Sequence, residues 1–199
     1  MATNELKAGR DPAVALKSAI PVLQNQIIIY ANYNDPLAEY CCDVLQLLGN
    51  ASIPIYVELF KNPKLLYQGL HLVANSFAKA LKRVSKPKGD TQRALSEAGV
   101  FLAGMASSDV AISELMPYIM ALDKIGVPAV PTIIDQLNQA QNPEIRRRFV
   151  LRLENIGPPA KTALPVLQNL KETETDASLL KAVEEAIAKI KSPQSPKQG

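Results

Sequence analysis

The segment AIPVLQNQ at residues 19–26 returns as ALPVLQNL at 163–170, identical at six of eight positions. Two further segments, ASIPIYV at 51–57 and AVPTII at 129–134, echo the same order of small, apolar, proline, apolar. Recurrence of this kind constrains a fold more than any composition, because it requires a chain built of like units. Pro21 and Pro54 are 33 residues apart, and Pro131 and Pro165 are 34 apart. The 77 residues from Pro54 to Pro131 leave room for two longer units.

What precedes three of these prolines is also shared: VLQLLGNASIP (44–54), ALDKIGVPAVP (121–131) and RLENIGPPAKTALP (152–165). Each is an apolar helical stripe that stops at Gly49, Gly126 or Gly157. Glycine past a helix end adopts the left-handed conformation without a Cβ penalty. Proline in the first turn of the next helix gives up no hydrogen bond. Helical periodicity fills the intervals: Leu37, Cys41, Val44, Leu45 and Leu48; then Leu66, Leu70, Val73, Ala74, Phe77, Leu81 and Val84; Ile145, Phe149, Leu153 and Ile156; and Leu179, Ala182, Val183, Ala186 and Ile190. No run of strict alternation indicates a strand. The pattern predicts five helix pairs, at 11–49, 50–84, 89–125, 126–157 and 158–191. Pro117 is expected to kink or split the second helix of the third pair. Residues 85–91 read as a loop, 1–191 as a single domain, and 192–199 as a disordered Pro/Ser-rich tail.

With 47% hydrophobic and 21% charged residues among 199, the chain has a globular composition. Adjacent Cys41 and Cys42 are the only cysteines, which excludes a disulfide scaffold. No apolar run reaches membrane-spanning length, and the N-terminus lacks a secretory apolar region, so a reduced cytoplasmic location is the expectation.

Helix pairs of 30–40 residues with proline in the first helix, ALPVL-like cores and a boundary glycine resemble HEAT repeats. The segment 143–167, PEIRRRFVLRLENIGPPAKTALPVL, is similar to the short HEAT-like units of phycobilisome lyases and bacterial scaffold proteins. The resemblance extends over the last two units and the first junction. It implies an all-α, right-handed α-solenoid, with the second helices of the pairs lining its concave surface. The physics agrees: one pair cannot bury its apolar side alone, and stacked pairs share a continuous core.

Catalytic chemistry is poorly provided for, and no catalytic residue, metal ligand or cofactor is expected. His71 is the only histidine, and no metal-protease, phosphate-loop, nucleophile-elbow or spaced-cysteine motif occurs. Cys41 and Cys42 read as buried small hydrophobes, since neighbouring Glu39 and Asp43 raise a thiol pKa. Glu172, Glu174, Asp176, Glu184 and Glu185 read as solvated surface.

Charge is more informative. Residues 59–89 hold seven cations and no acid in a chain of net charge +3, leaving −4 elsewhere. On a helical wheel over 64–84 with Leu66 at zero, the apolar set spans about −20° to +80°. Lys64, Lys79, Lys82 and Lys86 fall between about 160° and 220°, with Arg83 nearby. Arg147 projects opposite its own apolar stripe and is expected to be free, whereas Arg146 matches an arginine that braces neighbouring HEAT-like units. Lys64, Lys79, Lys82, Arg83, Lys86 and Arg147 are therefore the candidate concave binding surface. The expected function is a non-enzymatic scaffold for another, acidic protein. The alternatives are a chromophore lyase of the phycobilisome kind and nucleic-acid binding through the basic 61–93 surface. Nucleic acid is disfavoured by the scarcity of stacking aromatics there. A homodimer formed by end stacking is expected from Ile27, Ile28 and Ile29, which cannot all face one side of a helix.

Overall fold

A computed structural model describes residues 18–108 and 112–192. The N-terminal part of the first expected pair and the expected tail from residue 193 lie outside these. Among the described residues the chain is all-helical, without strands. It divides into two compact units, 1–98 and 99–199.

The first unit contains α1 (Ile20–Tyr30), α2 (Pro36–Gln46), α3 (Ser52–Phe60), α4 (Tyr67–Ala80) and the start of α5 (Gly89–Ala106). Pro21, Pro36 and Pro54 all sit within the first three helical residues, where no intrahelical donor is lost. Asp35 caps α2 by accepting the Leu37 N–H at 2.8 Å. α1 packs on α2, α3 on α4, and α2 on α4. Ile27, Leu45, Ile53, Tyr56, Leu59 and Phe77 are fully buried between them. Phe77 meets Tyr56 and Phe60 edge-on, both at 5.4 Å between centroids. One polar node lies in this core. The Tyr56 hydroxyl and Ser76 Oγ are 2.5 Å apart, the Cys42 carbonyl accepts from this hydroxyl pair, and Gln46 Nε2 donates to Ser76 Oγ at 3.2 Å. Three helices are thereby locked in one register, with each of these hydroxyls satisfied.

The second unit contains the rest of α5, α6 (Ile112–Ile125), α7 (Val130–Gln139), α8 (Pro143–Ile156), α9 (Leu164–Thr173) and α10 (Ala177–Lys191). α7 packs on α8, α9 on α10, and α8 on both α6 and α10. The core contains Leu115, Tyr118, Leu122, Ile133, Phe149, Leu153, Leu167, Val183 and Ile190. Pro117 does not split α6, which runs unbroken through it. The proline stands early in the helix, so its missing N–H removes a single bond beside the unsatisfied first turn.

The glycine junctions repeat in geometry as well as sequence. Gly126 has φ 68°, ψ −129° and Gly157 has φ 70°, ψ −141°, a region of backbone space that essentially only glycine enters. The expected left-handed helical cap is therefore replaced by a more extended turn. A proline-bearing 3₁₀ turn follows each glycine, at Val127–Ala129 and Pro158–Ala163, and proline is then the second residue of α7 and of α9.

Candidate functional site

The basic run divides into separate places. Lys79 ends the exposed face of α4, with Gln68 and Asn75, and Lys82 and Arg83 occupy the 3₁₀ turn after it. Cations are favoured there because the last carbonyls of a helix carry partial negative charge. The chain then extends at Val84 and is caught by the side chain of Asn50. Asn50 Nδ2 donates to the Ser85 carbonyl at 2.8 Å, and its Oδ1 accepts the Ser85 N–H at 3.0 Å. Gly49, at φ 53°, permits this approach, since a Cβ there would press on the Arg83 carbonyl at 3.3 Å. Lys86 follows at φ 43°, directly before Pro87. A lysine in that region is strained by about 1–2 kcal/mol, and the Asn50 clamp helps hold it there. Lys79, Lys82, Arg83, Lys86 and Lys88 form no ion pair among the described residues, and the edge they make is largely open to solvent.

Lys64 is not with them. The expected helix over 64–84 is shorter at both ends, because Asn32 claims the backbone before it as Asn50 claims the backbone after it. Asn32 Nδ2 donates to the Lys64 carbonyl at 2.7 Å, and its Oδ1 accepts the Leu66 N–H at 2.8 Å. Gly69 leaves the space: a Cβ there would collide with Asn32 Oδ1. Lys64 thus stands at the opposite end of α4, about 20 Å away for 14 residues at 1.5 Å each. Leu66, expected in the apolar stripe, is 64% exposed, and Leu65 is buried in its stead. Lys61 is paired with Glu97 at 2.6 Å, which holds the Glu97 carboxyl below its usual pKa.

Arg147 belongs to the second unit and is not free. Its Nε and Nη2 grip both oxygens of Glu144, at 3.0 and 3.1 Å, one turn back on α8. Arg146 does brace: Nε donates to the Ala140 carbonyl at 2.9 Å and Nη1 to Glu174 Oε2 at 2.9 Å. The Glu174 carboxylate also accepts the N–H groups of Asp176 and Thr175, which with Arg146 hold its pKa down. Glu174 is therefore a structural anchor and not the solvated acid the sequence suggested. Arg152 pairs with Asp123 at 3.2 Å, yet burial still raises the Asp123 pKa.

Cys41 and Cys42 are free thiols, both buried. Burial raises the pKa of both, that of Cys42 to about 12, with the charges of Asp43 and Glu39 adding to the effect. His71 is half-buried, with its ring against Tyr67 at 4.4 Å. Among the described residues no group of three or more His, Cys, Asp or Glu is arranged to hold a metal, and no helix is long and apolar enough to cross a membrane.

The residues that sequence reasoning missed are Asn32 and Asn50. Their signal was positional: each sits in the turn after a helix, one repeat length before the backbone it clamps. Compared with known proteins, the chain matches no family model, no curated protein and no solved structure.

Proposed function

We propose that the five helix pairs form a right-handed, HEAT-like α-solenoid that serves as a non-enzymatic scaffold for an acidic protein. One observation carries the architectural part. Gln24–Glu58, Asn32–Lys64, Asn50–Ser85, Lys61–Glu97, Arg146–Glu174, Asn155–Asp123 and Lys189–Glu154 all bridge between 28 and 36 residues. That separation is one repeat length, as expected where each pair leans on the next. A bundle around one centre would also join residues two or three pairs apart.

The recognition part rests on the edge at the end of α4. Lys79, Lys82, Arg83, Lys86 and Lys88 are cations within ten residues, without ion pairs among the described residues, on a backbone held in place by Asn50. A fixed cluster of one sign raises the local concentration of an oppositely charged partner and speeds its capture. Lys64, at the far end of α4, and Arg147, gripped by Glu144, are peripheral to this reading.

The test compares capture from a source-cell lysate by the immobilised chain and by Lys79→Glu/Lys82→Glu/Arg83→Glu. Retention of an acidic protein by the first and its loss by the second is the expected result. The same proteins on both, or none above background on either, contradicts it. Retention of nucleic acid, with a steep salt dependence that the triple variant flattens, would transfer the edge to that partner.

A further inference from the structure

We infer that Ser85 is a phosphorylation site, and that a phosphate on it discharges the cationic edge at the end of α4. Beyond α4 and its 3₁₀ turn the backbone runs extended at Val84 (φ −75°, ψ 126°) and bends at Lys86 (φ 43°). Ser85 lies between them and is exposed. Asn50 takes both of its backbone groups, the carbonyl at 2.8 Å and the N–H at 3.0 Å. In extended chain the N–H and C=O of one residue point to the same edge, and its side chain stands out of that plane. The clamp therefore occupies one edge of the segment and leaves the hydroxyl outside it. Ser52, Ser96, Ser107 and Thr173 each donate their hydroxyl to the carbonyl three or four residues back. Ser85 makes no such bond, and its Oγ has no partner among the described residues.

The residues around that hydroxyl select the chemistry. Lys82 and Arg83 precede it, Lys86 and Lys88 follow it, and all four are exposed. No acid occurs between Glu58 and Asp90, and Asp90 itself pairs with Arg93 at 3.4 Å. A segment of this charge complements the substrate cleft of a serine/threonine protein kinase lined with acids. Being extended and exposed, it can bring the hydroxyl in line with the γ-phosphate of a nucleoside triphosphate. Ser85 Oγ attacks the γ-phosphorus, and the Oγ–P bond forms as the bond to the β,γ-bridging oxygen breaks. Nucleoside diphosphate leaves, and the hydroxyl proton passes to the kinase's carboxylate base. The product sets a charge of about −1.5 to −2 and three acceptor oxygens among the cations. Charge-assisted hydrogen bonds to Arg83, Lys82 or Lys86 follow, and the five cations of the edge fall to a net charge of about +3. An acidic partner is then held less tightly. This regulatory step rests on the reading of the edge as the acidic partner's site, whereas the modification itself does not.

The test incubates the full chain, beside Ser85→Ala, with source-cell lysate and ATP carrying a labelled γ-phosphate. Label should enter the wild-type chain, and Ser85→Ala should lose most of it. No label above background in the wild type, or equal label in Ser85→Ala, overturns the inference. Binding of poly-glutamate at low salt then reads the consequence. The unmodified chain and Ser85→Ala should bind it equally, and the phosphorylated chain more weakly by about threefold or more. Equal binding by the phosphorylated and unmodified chains overturns the discharge of the edge. Undiminished binding by Lys79→Glu/Lys82→Glu/Arg83→Glu contradicts the reading of the edge and the discharge with it, while the label still decides whether Ser85 is modified.

Discussion

Asn32 and Asn50 perform the same task at two turns of the first unit. Each amide offers one donor and one acceptor to a strand-like piece of backbone next to α4, satisfying groups that no helix can reach. These two side chains decide where α4 begins and ends, and therefore which lysines share an edge. Cys42 shows the opposite behaviour, a group whose environment suppresses its chemistry. Burial raises its pKa from 9.0 to about 12. Because the folded value lies above the unfolded one, its contribution to stability is complete below pH 9 and is lost as pH rises toward 12. Tyr56, also raised by burial, acts in the same direction. Alkylation by iodoacetamide at pH 8 should therefore modify Cys42 only after unfolding in denaturant, as followed by mass spectrometry. Rapid modification in the native state would contradict the buried node around Ser76.

Many of the helices and their junctions were legible in the sequence because they carry their own punctuation. Proline opens α1, α2, α3, α7, α8 and α9, and glycine closes the helix before three of the turns. Local chemistry suffices for such features. The limits of α4 were not legible, because Lys64, Leu65 and Leu66 continue a helical apolar pattern and only a side chain 32–34 residues away draws them out of it. The same holds for the candidate surface. Exposure of the lysines could be read from the wheel, but their division between the two ends of α4 follows from hydrogen bonds made outside it. The grip of Glu144 on Arg147 was visible in principle as a charge pair three residues apart. At Gly157 the backbone lies where a Cβ is strongly disfavoured, so Gly157→Ala should cost about 1–3 kcal/mol. Urea unfolding measures this directly, and an unchanged midpoint would mean that the junction geometry is not required. The alanine at this site meets no close atom beyond the Glu154 carbonyl at 3.8 Å, so the cost would be conformational and not steric.

At the scale of the whole molecule, the sequence motif and the hydrogen bonds describe one period. Prolines recur at 33 and 34 residues, and the side-chain bonds between successive pairs recur at 28 to 41. In the proposed stack, stability would be built from neighbouring interactions, with the ends the weakest parts. The central claim, that each pair is supported by its immediate neighbours, is tested most directly by shortening the chain at Gly157. Hydrogen exchange on residues 1–157 is predicted to show α1 to α4 protected as in the full chain, with losses confined to α8 and the helices beside it. Loss of protection throughout α1 to α4 would mean that the helices share one indivisible core, and would contradict the claim.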